Sequence, residues 1–298
     1  GGVGKTTIMK HIHNKLLEET VEFDSVFWVT VSKTSDVREL QREIAKELNV
    51  GISDDEDVTR RAAELYAVLS RRARYVLILD DLWEEFPLGT VGVPEPTRSN
   101  GCKLVLTTRS FEVCRRMGCT PVQVELLTEE EALMLFLRKA VGNDTVLAPI
   151  VEEIATQIAK ECARLPLAIA IVGGSLRGLK GIRGWRNALN ELISSTKEVN
   201  DGEGKVFERL KFSYSRLGDE LLQNCFLYCS LYPEDHEIPV EELIEYWIAE
   251  GLIGDMDSVE AQLDKGHAIL GKLTSSCILE SVTDISKQEC VRMHDLLA

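Results

Sequence analysis

The chain has 298 residues, of which 44% are hydrophobic, and its net charge is −15. A chain of this length and composition can bury a sizeable core and is long enough for about two or three globular domains. No stretch approaches the ~20 consecutive apolar residues of a membrane-spanning helix, and the eight cysteines lack the spacing of a zinc site.

The chain begins with a glycine-rich stretch, GGVGKTT, at residues 1–7. A loop of this type, followed by a helix, turns backbone N–H groups and the positive helix end toward one point, which suits a phosphate chain. We expect Lys5 to reach the β- and γ-phosphates and the Thr6 hydroxyl to bind Mg²⁺. The predicted nucleotide-binding loop also includes Gly2, Val3, Gly4 and Thr7.

The alternative is a glycine-rich turn that caps an ordinary helix. The complete phosphate-loop pattern begins with a further glycine, five residues before Gly4, and follows a β-strand. That glycine and that strand would both precede residue 1. We therefore expect that the chain is a fragment of a longer protein.

Residues 1–127 alternate between helical and strand patterns. Helices are predicted after the loop to about residue 20, from Asp36 with an N-cap pattern, and near 57–73. Apolar strands are predicted at 26–31, 75–81 and 103–109, and a fourth at 122–126. Strands without polar alternation are typical of a parallel sheet with helices on both faces, so we predict an N-terminally truncated α/β nucleotide-binding domain over 1–127.

Two of these strands end in charged residues. Asp80 and Asp81 follow an apolar strand, and Arg109 ends the next one. Ligands of open α/β sheets collect at the carboxyl ends of the strands. We expect Asp80 to serve the Mg²⁺ shell, Asp81 to orient a water, and Arg109 to bind the γ-phosphate. A solvated acidic turn and a surface arginine are the alternatives.

From Thr128 onward the pattern is helical. Thr128 and Glu131 form a predicted capping box, and a later helix ends near Pro166. A polar linker at 200–204 separates a helical domain, 128–204, from a domain at 205–298 whose helices precede a hairpin at 277–293, as in a winged helix. Residues 206–298 hold 7 Lys/Arg against 18 Asp/Glu, which disfavours nucleic-acid binding.

Seven motifs in this order resemble the NB-ARC domain of plant NLR disease-resistance proteins over essentially the whole chain. The WVTVS block at 28–32 and Trp83 resemble the coiled-coil class. The motifs are GGVGKTT (1–7), FDSVFWVTVS (23–32), LDDLW (79–83), GCKLVLTTR (101–109), LPLA (165–168), the segment 225–233, and MHD (293–295). One departure is Arg164, at a position where the family carries glycine.

The resemblance implies an ATPase switch of the STAND class, with ADP holding a resting state and ATP permitting an oligomeric active state in defence against pathogens. It implies phosphate and Mg²⁺ binding by Lys5 and Thr6, a metal role for Asp80, hydrolysis by Asp81 and γ-phosphate contact by Arg109. Pro166 would line the base or sugar of the nucleotide, and His294 would contact the β-phosphate of ADP.

The resemblance further implies coiled-coil and leucine-rich-repeat regions outside this chain, and an intracellular location where thiols stay reduced. A missing N-terminal region could still add membrane association. The expected external partner is a pathogen effector or a guarded host protein. Two alternatives stay open: a catalytic P-loop ATPase of another STAND or AAA-like type, and a DNA-binding winged-helix regulator, which the negative charge disfavours.

Overall fold

The computed structural model describes residues 1–18, 22–33, 36–53, 57–142, 147–196, 202–233, 236–254, 256–283 and 287–294. Its contacts divide the chain into a first compact unit, Gly4–Val124, and a second, formed by Gly1–Val3 with Glu125–Ala298. No helix in the described ranges is long and apolar enough to cross a membrane.

The first unit is a parallel sheet with helices on both faces. Its strands are ordered β1-β2-β3, and both pairs are parallel. One face, with Phe27 and Leu77, packs in a cluster with helix residues such as Ile44. On the other face, Ile78 packs with Met9. The elements are α1 (Lys5–Glu18), β1 (Ser25–Thr30), α2 (Val37–Glu47), α3 (Val58–Ser70), β2 (Tyr75–Leu82), α4 (Leu88–Val91), β3 (Lys103–Thr108) and α5 (Phe111–Arg116).

The prediction of a strand at 122–126 is wrong. These residues have no regular secondary structure, and Val122 is 87% exposed. The alternation of apolar and polar residues would stabilise a strand only beside a pairing partner and over a sheet face. Just beyond this segment, the Leu127 N–H donates to the Arg164 carbonyl at 3.3 Å, so the chain bonds to a helix–helix turn instead of a β-ladder.

The second unit begins with a group of helices around one apolar cluster. Phe136, Ile158 and Trp185 are fully buried there. The capping box at Thr128 is confirmed, since both of its reciprocal hydrogen bonds to Glu131 are present. The helices are α6 (Glu129–Ala140), α7 (Pro149–Glu161), α8 (Pro166–Ser175), α9 (Ile182–Thr196) and α10 (Gly202–Ser215).

The rest of the second unit confirms the predicted winged helix. Its antiparallel sheet, ordered β4-β6-β5, contains the predicted hairpin and a two-residue edge strand that the sequence did not indicate. A second apolar cluster surrounds the buried Trp247. The elements are α11 (Glu220–Tyr228), β4 (Ile238–Pro239), α12 (Val240–Ala249), α13 (Val259–Ser275), β5 (Leu279–Thr283) and β6 (Glu289–Met293).

Parts of three expected features lie outside the described residues: the linker at 200–201, the hairpin turn at 284–286, and Asp295 of the last motif. The division of the second unit into domains at 128–204 and 205–298 stays a prediction.

Candidate functional site

The phosphate loop has the backbone that its glycines predict. Gly2 and Gly4 adopt φ values of 74° and 92°, in the left-handed region that glycine occupies without a Cβ clash. The Ile8 N–H donates to the Gly4 carbonyl at 2.9 Å, so α1 starts directly after the second glycine. Helix α1 is 14 residues long, and its first N–H groups have no partner within the helix, as an anion-binding helix start requires.

Asp80 is a buried carboxylate that connects the phosphate-loop helix to β3. Its side chain is buried with only 2% exposure, and one carboxylate oxygen, Oδ1, accepts two hydroxyl hydrogen bonds. Thr6 donates at 3.3 Å and Thr107 donates at 2.6 Å. Thr6, in the first turn of α1, is thereby joined to the carboxyl ends of β2 and β3.

A β-bulge places both aspartates opposite one threonine. Leu79 pairs with Leu106 and Leu82 pairs with Thr108, so two residues of β2 face only Thr107 of β3. The Thr107 hydroxyl donates to Asp80 and also accepts from the Asp81 N–H at 2.8 Å. Bulges of this kind bend a strand and re-aim its side chains, often beside active sites.

Asp81 carries backbone strain at this bulge. Its φ is 57°, a left-handed value that a non-glycine residue adopts at a cost of about 1 kcal/mol or more. The side chain is 17% exposed, and its Oδ1 lies 3.7 Å from Nε of Arg109. The bulge thus turns Asp81 toward Arg109 while Asp80 stays buried against Thr6.

Lys5 lies in the electrostatic field of these groups. Burial lowers the pKa of the Lys5 ammonium, the neighbouring Arg109 guanidinium lowers the pKa further, and Asp81 and Asp80 oppose both effects. Two cations that share a partly buried site repel each other. An anion bound between them would remove this repulsion, so the charge distribution favours a phosphate ligand.

The oxygen groups fit a magnesium nucleotide. Mg²⁺ is usually held by one or two protein oxygens together with substrate phosphates and water. Thr6 and Asp80 supply a hydroxyl and a carboxylate 3.3 Å apart. In the described part of the chain, no group of three or more His, Cys, Asp or Glu residues could hold a metal without such help.

The remaining predicted site residues are described by their exposure and their positions in the helices and strands. Thr7 is exposed and Val3 is half-buried. Pro166 is the first residue of α8, and within the second unit the next residue, Leu167, donates its N–H to the Gly2 carbonyl at 3.3 Å. His294 follows β6 and is half-buried. The roles of Pro166 and His294 toward a nucleotide stay predictions.

Two side chains of this site were not assigned a role from the sequence. Thr107 belongs to the GCKLVLTTR motif, and its hydroxyl at the end of an apolar strand was a usable signal. Trp83 was used only to compare family classes, but its ring contacts two cations, Arg109 and Lys33.

Comparisons with known proteins agree with these observations. Residues 1–146 match the NB-ARC domain, and residues 231–298 match the disease resistance protein winged helix domain. Three Arabidopsis thaliana relatives align with the whole chain: disease resistance proteins UNI, RPS5 and SUMM2 at 40%, 39% and 41% identity. The chain spans 33% of the length of each of them.

A solved structure of the Aeropyrum pernix ORC2 protein in its ADPNP-ADP complexes covers 99% of this chain and 83% of its own, at 15% identity and a TM-score of 0.40. The two matched domains stand in the order that the motifs indicated, and the similarity to the three relatives extends over the full chain. The chain therefore belongs to the NB-ARC family of plant disease-resistance proteins and carries that family's winged-helix domain.

Proposed function

We propose that this chain is the nucleotide-dependent switch of a plant immune receptor, resting with ADP and active with ATP. The observation that carries the proposal is the cluster in which Thr6 joins Asp80 while Lys5 and Arg109 share one site. Both the paired cations and the oxygen pair suit a nucleotide polyphosphate with Mg²⁺. The relatives' names as disease resistance proteins support the role in immunity.

In this proposal each residue has one task. Lys5 and Arg109 bind phosphate oxygens, the first as a mobile point charge and the second through its planar donor edges. Thr6 and Asp80 hold Mg²⁺, which when bound neutralises phosphate charge. Asp81, strained and turned toward Arg109, orients a water and accepts its proton in slow hydrolysis of ATP.

The switch requires that ADP and ATP stabilise different arrangements of the protein. A ligand shifts such an equilibrium only through its differential affinity for the two states. We propose that Pro166 contacts the base or sugar and that His294 contacts the β-phosphate of ADP. Loss of His294 would then weaken the resting state selectively.

The proposal extends to the longer receptor. We propose that coiled-coil and leucine-rich-repeat regions flank this chain, that the ATP state forms a homo-oligomer inside the cell, and that the trigger is a pathogen effector or a guarded host protein. The known relatives' greater length is consistent with additional domains.

Nucleotide binding by two lysine variants tests the site. Lys5→Ala is compared with Lys15→Ala, which removes the same charge from an exposed position of the same helix. The expected result is loss of ADP and ATP binding in Lys5→Ala only. Equal binding by wild type and Lys5→Ala would contradict the proposed site.

Turnover separates the switch from a working ATPase. The median enzyme turns over at ~10 s⁻¹. A switch should retain ADP and hydrolyse ATP far more slowly than this value. Rapid multiple turnover without ADP retention would favour the catalytic alternative.

A further inference from the structure

Trp83 lies just beyond β2, and two cations lie over its indole ring. The Arg109 guanidinium carbon is 4.7 Å from the centroid of the indole ring, and Nζ of Lys33 is 4.9 Å from it. Both distances are within the range at which the quadrupole of tryptophan attracts a cation. Trp83 is half-buried and Lys33 is exposed.

Arg109 has charged neighbours of both signs. The Asp81 carboxylate lies 3.7 Å away, and the Arg109 side chain is 28% exposed. Lys5 is near enough for each cation to repel the other. Without a bound anion, this repulsion disfavours the guanidinium beside Lys5, and the attraction between the guanidinium and the ring compensates part of that cost.

A ring is well suited to position this arginine. Its attraction to a cation comes from the π face and uses no hydrogen-bond acceptor. A second carboxylate could hold Arg109 equally well, but it would compete with phosphate oxygens for the same N–H donors. The ring therefore restrains the guanidinium at a small cost to phosphate binding.

We propose that Trp83 is a positioning residue that holds Arg109 for the γ-phosphate and thereby strengthens the binding of ATP but not of ADP. This inference rests on the proposed function, because it assigns Arg109 to the γ-phosphate. Trp83 itself contacts no phosphate in this account. Its removal should weaken ATP binding and leave ADP binding unchanged.

The first test measures the dissociation constants of both nucleotides for Trp83→Leu and Trp83→Phe. A partly exposed cation–π contact corresponds to about a 2- to 5-fold change in affinity. We expect this loss for ATP in Trp83→Leu, a smaller loss in Trp83→Phe, which keeps an aromatic face, and ADP affinity within about twofold of wild type. Equal weakening of ATP and ADP binding in both variants would overturn the proposal.

Two further variants separate positioning from general charge or folding effects. Lys33→Met removes the cation from the ring without touching Arg109, and the ratio of ATP to ADP affinity should stay within about twofold of wild type. In an Arg109→Ala background, Trp83→Leu should cause no additional loss, since the ring acts through the arginine. Additive effects of the two substitutions would overturn the proposal.

A nucleotide-free measurement tests the contact independently of the proposed function. Protein labelled with 5-fluorotryptophan is examined by ¹⁹F NMR, and the Trp83 signal is identified as the one lost in Trp83→Phe. Arg109→Ala should shift this signal and leave the other three tryptophan signals in place. An unmoved Trp83 signal would refute the contact, whereas absence of nucleotide binding with a shifted signal would refute only the proposed function.

Discussion

Replacing Thr107 with valine should selectively destabilise the first unit, because one hydroxyl holds the bulge that carries both aspartates. It donates to Asp80 at 2.6 Å and accepts from the Asp81 N–H at 2.8 Å. Thr107 is 6% exposed, and its bond to Asp80 is buried, so water has little access to the position that the hydroxyl occupies. Valine keeps the shape of threonine and removes only the two hydrogen bonds.

The two bonds set the magnitude. A hydrogen bond to a charged group contributes about 1.5–3 kcal/mol, and a buried donor left without a partner costs about 1–3 kcal/mol. Since the bonds share one oxygen and are not additive, we expect a loss of about 2–4 kcal/mol in the unfolding free energy of the first unit. The strained backbone of Asp81 should relax once its N–H is released.

Hydrogen exchange followed by mass spectrometry is the appropriate assay, since a chain with two compact units need not unfold in one step. Peptides that cover β2 and β3 should exchange faster in Thr107→Val, and peptides from the second unit should not change. Thr107→Ser is the matched control, because it keeps the hydroxyl and loses one methyl group worth about 1 kcal/mol. Equal protection in Thr107→Val and wild type, or a larger effect in Thr107→Ser, would refute this account of the bulge.

Three further predictions concern other positions. Arg164 has a φ of 59°, a left-handed value that costs a non-glycine residue about 1–2 kcal/mol. Arg164→Gly removes this cost and adds about 0.5–1 kcal/mol of chain entropy, so the melting temperature should rise slightly; a fall would contradict the strained geometry. ATP affinity should begin to fall at a lower pH than for an ordinary lysine, because burial and the neighbouring Arg109 guanidinium lower the pKa of Lys5 in the nucleotide-free protein and phosphate binds the protonated form. An affinity profile that follows an unperturbed lysine would contradict this prediction. Gly174→Ala should destabilise the second unit by about 1–3 kcal/mol in urea unfolding, because its Cβ would lie 2.5 Å from the backbone oxygen of Ser276. Gly271→Ala, with open space around the added Cβ, is the matched control and should be neutral or stabilising; equal stability of the two variants would contradict the close approach.

Sequence patterns correctly predicted the helix caps, because a cap is formed by residues only a few positions apart in the chain. The capping box at Thr128 and the N-cap at Asp36, which accepts from the Glu39 N–H, depend on residues three positions apart. In these helix caps, the two residues that form the hydrogen bond can be identified from their spacing in the sequence.

Features that depend on neighbouring strands were not predictable in this way. The apolar residues at 122–126 alternate correctly for a strand, but no described strand pairs with them. The helix predicted after the phosphate loop is present as α1. Its Ile8 and Ile12, although four positions apart in the sequence, are 44% and 41% exposed, while Met9 is buried against the sheet. Helical spacing identifies a helix, but the position of the sheet decides which side is covered.

The same distinction applies to the candidate site. Lys5 and Thr6 belong to a phosphate loop, and Asp80 ends an apolar strand. Their proximity was predictable because ligands of a parallel sheet bind where the strands end. The bulge that turns Asp81 and the ring beside Arg109 depend on strand register and loop path, for which single-sequence patterns contain no signal.

The nucleotide that the protein holds tests the proposed switch most directly. Protein purified without added nucleotide is denatured, and the released compound is identified and counted by chromatography for wild type, Lys5→Ala and His294→Ala. The account predicts nearly one ADP per wild-type chain, none in Lys5→Ala, and replacement of ADP by ATP or its loss in His294→Ala. A folded wild type that releases no nucleotide, or a His294→Ala variant that retains ADP as wild type does, would contradict it.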